Sequence, residues 1–210
     1  MKNRADLECS VKKSRVSGVG RTKEFDPDVA LRAAMELFWR RGYEATSMQD
    51  LVDHLGLGRG SIYGTFGGKR ELFLRAVERY VEDTRLGLLD QVSVPGSSLA
   101  AVKALVRWYA NTSLDDDQRK GCFMTNTAVE LPGDGDVARL VITGLEGMET
   151  VLTAALMRAH NAGELGADRD PVALARFLVT FLQGIRVVGK TAVRERFLDD
   201  AVEQALAVLA

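Results

Sequence analysis

Residues 46–66, TSMQDLVDHLGLGRGSIYGTF, hold two short amphipathic segments joined through glycines. The first opens on Thr46-Ser47-Met48-Gln49. In that spacing the Thr46 hydroxyl takes the Gln49 amide while the Gln49 side chain reaches back, a capping box. Met48, Leu51, Val52 and Leu55 then form one apolar face, and Gly56 supplies the left-handed backbone that ends a helix. After Leu57-Gly58, the segment Arg59–Phe66 places Ile62 and Phe66 four residues apart, as anchors. Arg59, Ser61, Tyr63 and Thr65 are left for other faces, and Gly67-Gly68 closes the segment. Two short helices with a glycine turn, the second turning small polar and basic side chains outward, are the pattern of a helix-turn-helix. This is the smallest unit that seats a helix in the major groove of DNA.

Working outward, Asp26-Pro27 is an N-cap followed by proline at the first helical position, and the helix it opens runs to Gly42. Its residues Ala30, Ala33, Ala34, Leu37 and Phe38 share one face of a 3.6-residue period. Beyond the pair, a longer helix is predicted from Lys69 to about Leu89. Amphipathic segments follow at 98–113, 122–131, 136–162, 171–188 and 194–209, separated by Pro95-Gly96, Pro132-Gly133, Gly163 and Asp170-Pro171. No alternating stretch or hairpin turn signal of the kind strands require interrupts them. The expected fold is all-α with about nine helices. It divides into a basic arm (1–24) without hydrophobic period, read as flexible, a helix-turn-helix DNA-binding domain (25–72), and a helical effector-binding and dimerisation domain (73–210).

The chain has 210 residues and is 46% hydrophobic, enough to bury a core. A formal net charge of -1 conceals an asymmetry: residues 1–80 carry 15 Lys and Arg against 11 Asp and Glu, and the remainder 13 against 18. Most of the N-terminal excess lies before residue 25, so a polyanion is expected to prefer that end. No run approaches the roughly 18 consecutive apolar residues of a bilayer span, and residues 1–18 have no apolar signal core, so a cytoplasmic protein with no membrane partner is expected. Cys9 and Cys122 are far apart in sequence and unsuited to a disulfide framework.

The stretch from Ala30 to Tyr80 closely resembles the DNA-binding domain of the TetR family of bacterial transcriptional regulators. The resemblance covers about residues 28–80. It rests on Leu37-Phe38, Gly42-Tyr43, Thr46-Ser47, Leu51, Gly56, Ser61-Ile62-Tyr63, Phe66 and Lys69-Arg70-Glu71-Leu72. It implies that Gly58–Phe66 is the recognition helix and that Tyr63 and Lys69 contact phosphates. The chain departs from the family pattern at Gly58, Gly64 and Thr65, where bulkier or hydroxyl-bearing residues are common. Base reading then rests on few side chains, with Arg59 the strongest candidate for bidentate recognition of guanine. The expected DNA contacts are Thr46, Ser47, Arg59, Gly60, Ser61, Tyr63, Gly64, Thr65 and Lys69. The partner is a double-stranded DNA operator.

Past residue 80 the resemblance is to architecture, with a recognisable stretch at 121–130, GCFMTNTAVE. The family implies that this half binds a small-molecule effector and dimerises. An effector pocket among the middle helices is expected from Trp108, Phe123, Met124, Asn126, Thr127, Glu130, Met148 and Phe181. Their apolar majority suits a hydrophobic or aromatic ligand. Residues 171–188 are apolar around most of the helix circumference, which calls for two burying surfaces. Phe177, Phe181, Ile185, Val188, Phe197, Val202 and Leu209 are the expected homodimer interface. Cys122, beside Lys120 and near a helix start, is a candidate thiol sensor. His54 and His160 have no neighbour at metal-ligand spacing, and no phosphate loop or glycine-flanked serine occurs. No enzyme activity, cofactor or metal is expected.

Overall fold

The computed structural model describes residues 25–116, 118–191 and 195–210. The basic arm and Cys9 lie outside the described residues. Among those described there are nine helices and no strand: α1 (Pro27–Arg41), α2 (Met48–Leu55), α3 (Arg59–Phe66), α4 (Lys69–Val92), α5 (Ser98–Leu114), α6 (Phe123–Glu130), α7 (Gly135–Asn161), α8 (Pro171–Val188) and α9 (Glu195–Ala207).

The helix starts follow capping chemistry. Asp26, Ser97, Asp134 and Asp170 each turn a side-chain oxygen onto the amides that open α1, α5, α7 and α8. At α2 the reciprocal cap is shifted by one residue from the sequence reading. Ser47, not Thr46, is the N-cap. Its hydroxyl accepts from the Asp50 amide at 3.1 Å, and the Asp50 carboxylate accepts from the Ser47 amide at 2.8 Å. The carboxylate is a stronger acceptor than the Gln49 amide oxygen, and it is held below its ordinary titration range by the Ser47 hydroxyl first, then by the Ser47 amide.

Two apolar clusters organise the molecule. The N-terminal one joins Ala34, Leu37 and Phe38 of α1, Leu51 of α2, Ile62 and Phe66 of α3, and Leu72, Phe73, Ala76 and Val77 of α4. A boundary at residue 72 therefore cuts both a continuous helix and a continuous core. Phe123 and Val137, from α6 and α7, also enter this cluster. The larger cluster holds the rest of α4 with α5, α7, α8 and α9. Its centre is Leu105, Leu152, Leu156, Leu178 and Leu182, all essentially buried. Helix α7 packs chiefly on α4 and α8. By length and composition α7 and α8 are long and apolar enough to cross a bilayer, although neither is an unbroken apolar run. Buried helices of a bundle share that composition.

Candidate nucleic-acid interface and the cavity behind it

Ile62 and Phe66 are 0% and 3% exposed and fasten α3 to the N-terminal core. The 3.6-residue period then turns Arg59, Gly60, Ser61, Tyr63 and Gly64 to solvent, with Thr65 half-buried. Tyr63 is 54% exposed, so its ring is not a core element. At the end of α3 Gly67 takes φ 92° and leads into α4, whose first residue is Lys69. The Lys69 ammonium sits 4.1 Å from the Tyr43 ring centroid. Amides at the start of α4 have no side-chain cap, and a phenol and an ammonium stand beside them. These are groups of the chemical type that binds phosphate.

Two readings of individual residues change here. Thr46 is fully buried and its hydroxyl donates to the Gly42 carbonyl at 2.6 Å, so it braces the α1–α2 turn and has no surface to offer DNA. Gln49, released from the cap, is exposed and accepts from Arg59 Nη2 at 3.3 Å, while its own amide donates to Asp53. An exposed Arg59–Gln49 pair thus spans the two helices of the motif. Period and cap spacing gave no sign of it, because the contact crosses the turn. His54 meets the Ala33 carbonyl at 3.2 Å, a backbone contact.

The DNA-reading module is bolted to the rest of the molecule through α4, α6 and α7. The Glu130 carboxylate accepts from the amides of Tyr43 at 3.0 Å and Glu44 at 2.8 Å. Gly42, at φ 84°, has no room for a Cβ, which would lie 2.8 Å from both Glu130 oxygens. Arg70 makes a bidentate pair with Asp134 and a further bond to Asp136. This raises the guanidinium further above its ordinary value, through Asp134 first and then Asp136, and holds Asp134 far below the usual carboxylate range. Lys120 pairs with Glu36 at 3.0 Å and lies over the Trp39 ring.

Behind the module is a cavity of about 290 Å³ lined from α1 (Met35, Trp39), α4 (Tyr80, Asp83, Leu88, Gln91), α5 (Leu105, Trp108, Tyr109), α8 (Gln183, Arg186) and Cys122. Of the eight residues expected to form an effector pocket, Trp108 alone lines it. Phe123, Met124, Thr127 and Met148 are 1–2% exposed and belong to the packed interior. Asn126 bonds the Lys120 carbonyl and the Lys190 ammonium, Glu130 clamps the α1–α2 turn, and half-buried Phe181 stacks on Phe177. The cavity instead draws Trp39, Tyr80, Tyr109 and Arg186 from α1, α4, α5 and α8. Arg186 carried a usable signal, as a lone cation inside the apolar run 177–188. Cys122 is buried in the cavity wall at the N-cap of α6.

On the far side, Phe177 of α8 and Phe197 of α9 are 40% and 59% exposed, with Val187 and Val208 also at the surface. Ile185, Val202 and Leu209 point the other way, 0–5% exposed within the chain's own core. Those three cannot meet a partner without unpacking it. Val188 is half-buried.

Residues 30–76 match the model for bacterial regulatory proteins of the tetR family, and residues 98–205 match that for a tetracyclin repressor-like C-terminal domain. The chain is 37% identical over 193 residues to the HTH-type transcriptional regulator YezE of Bacillus subtilis, covering 91% of this chain and all of that one. It is 35% identical to the HTH-type transcriptional repressor ComR of Escherichia coli, covering 87% and 86% respectively. Among solved structures, CifR, a TetR family regulator in complex with 26-bp double-strand operator DNA, is 29% identical. It superposes with a TM-score of 0.78 over 91% of this chain and all of that one. Reduced NemR of E. coli, 19% identical with a TM-score of 0.80 over 87% and 96%, shares the fold.

Proposed function

The chain belongs to the TetR family of bacterial regulatory proteins and is a transcriptional regulator that binds operator DNA; from that premise we propose that it is a cytoplasmic repressor, released from a near-palindromic operator by a small apolar or aromatic effector. The observation that carries the reading is the exposed polar face of α3, seated on Ile62 and Phe66 and flanked by Tyr63 and Lys69. Likeness to the repressor ComR supports the sign of regulation.

In this reading two copies associate through the outer faces of α8 and α9, with Phe177, Phe181, Val187 and Phe197 at the contact. A two-fold axis then sets the recognition helices on half-sites roughly 34 Å apart. The effector enters the cavity behind α1. One helix, α4, runs from Lys69 at the DNA face to Tyr80 and Gln91 on the cavity wall, and α6 joins Cys122 on that wall to Glu130 on the α1–α2 turn. A ligand that fits the cavity better in one setting of these helices shifts the population of half-site spacings.

Gel-shift titration on the DNA upstream of the protein's own gene tests the reading. Wild type binds a discrete site, and Arg59→Ala weakens the best site more than scrambled DNA, by about 1–3 kcal/mol. Equal loss on all sequences makes Arg59 a phosphate contact only. Failure of wild type to prefer any upstream sequence removes the autoregulatory operator. A second reading, in which Cys122 senses electrophiles, is favoured by its place in the cavity wall against Tyr80. Operator affinity unchanged by N-ethylmaleimide rejects it.

A further inference from the structure

We propose that the cavity behind the DNA-reading module takes an effector bearing a carboxylate on a small, flat or unsaturated apolar body. The proposal rests on the reading of this cavity as the effector site, and it adds the charge and size of the ligand.

Arg186 is half-buried, its guanidinium carbon 4.8 Å from the Tyr109 ring centroid, and it takes part in no ion pair among the described residues. A guanidinium withdrawn from bulk water with only an aromatic face as partner is incompletely compensated. The other charge on the wall, Asp83, is already neutralised by Arg79 Nε at 2.9 Å. The remaining polar groups of the wall are chiefly phenols and amides, each able to donate as well as accept. The Trp39 indole N–H is buried with no partner. Burial drives the Tyr109 phenol up to about 12 against the opposing pull of Arg186. The Tyr80 phenol is held well above its ordinary value by burial first and then by the neighbouring Cys122, so both phenols keep their protons. Gln91 and Thr84 serve in either sense, and Gln183 is engaged with Thr125 and Met148.

One unpaired fork-shaped cation and two protonated phenols match a compact oxyanion. Planar bidentate pairing is the geometry in which arginine recognises carboxylates. A cationic ligand meets Arg186 without a free carboxylate to hold it. A neutral apolar ligand leaves the guanidinium unsatisfied. The rest of the wall, Met35, Leu88, Leu105 and Trp108, is apolar, and with the Tyr80 and Tyr109 rings it suits a ring or conjugated chain. The volume of about 290 Å³ lies at the lower end of ligand sites, which favours one ring or a short acyl chain over a fused or long one.

Calorimetric titration of the full-length protein with benzoate and trans-cinnamate, set against benzamide and methyl cinnamate, tests the class. The acids are expected to bind at least tenfold more tightly than their neutral counterparts. Arg186→Gln, confirmed folded by its melting curve, is expected to lose that preference, and Arg186→Lys to recover part of it. Tyr109→Phe, which keeps the ring beneath Arg186, removes one donor and is expected to weaken the acids several-fold. It tests the donor set even if Arg186→Gln fails to fold. Neutral compounds binding as well as the acids, or neither acid binding at millimolar concentration, overturns the carboxylate class. The effector reading is judged separately, by whether any compound of the panel, acid or neutral, releases operator DNA in a gel shift.

Discussion

Gly60 and Gly64 lie on the exposed side of α3, and a Cβ at either would meet nothing of the protein within 4 Å. Glycine inside a helix costs about 0.5–1 kcal/mol relative to alanine, so neither position is explained by packing or by the stability of α3. An open Cβ position here fits the proposed close approach of the helix backbone to DNA. Gly64→Ala is therefore expected to raise the melting temperature while lowering operator affinity. The two effects are read in parallel by thermal melts and gel shift. Undiminished affinity would mean that Gly64 lies away from the DNA. Gly42 is the opposite case: there φ 84° strains any side chain, and a Cβ 2.8 Å from the Glu130 oxygens would push the carboxylate off the Tyr43 and Glu44 amides. The two kinds of glycine look alike in the sequence, and only the three-dimensional neighbours separate them.

At the scale of elements, α6 is eight residues long and joins the cavity to the DNA-reading module: Cys122 stands at its N-cap on the cavity wall and Glu130 ends it at the α1–α2 turn. A carboxylate that accepts two amide N–H groups is a stronger acceptor than a neutral one. Glu130→Ala leaves the part-buried Tyr43 amide without its partner, while water can reach the exposed Glu44 amide. The expected loss is about 1–3 kcal/mol of stability, accompanied by weaker operator binding because the turn that orients α2 is freed. Denaturant melts measure the first and gel shift the second. A loss of stability with full operator affinity would confine Glu130 to a structural role. Helix α6 is legible in the sequence as an amphipathic segment, but the sequence does not say which of its residues meet a cavity. Phe123, Met124 and Thr127 instead face the interior, because a short helix packed on α4 and α7 has little circumference left to line a cavity.

At the scale of the molecule, Arg70, Asp134 and Asp136 bracket the N-terminal module to the start of α7. Asp134 titrates far below its ordinary 3.8 because of Arg70 first and the Val137 amide next. A carboxyl depressed in the folded state contributes stability above its unfolded value and loses it as pH falls through the folded one. Wild type is thus expected to melt above Asp134→Asn by a steady margin from pH 7 down to about the ordinary carboxylate value. The margin should shrink below it. A margin that narrows already between pH 7 and 5 contradicts the assignment. The outer faces of α8 and α9 make a second prediction at this scale. Phe177→Asp is expected to convert a dimer to a monomer at micromolar concentration in sedimentation velocity, with little change in stability because Phe177 is 40% exposed. Wild type sedimenting as a monomer would remove the dimer.

The fold class, the helix order and the DNA-reading pair were decided by local rules. Caps such as Asp26 and Asp170, the helix-opening Pro171, the helix-ending Gly56, and a 3.6-residue period act within a few residues of the chain and leave their mark in it. α3 and α8 begin and end where that period said. The cap at Ser47 was off by one because two adjacent hydroxyls compete and only the position of Asp50 selects between them. Long-range choices were settled by tertiary structure alone. An apolar residue on a helix with two apolar faces carries no label for core, cavity or partner. The separation of Ile185 from Phe177, or of Met124 from Trp108, emerges only when the neighbouring helices are in place. The cavity follows the same logic, since Trp39, Tyr80, Tyr109 and Arg186 come from four helices, and no rule confined to one helix could have brought them together.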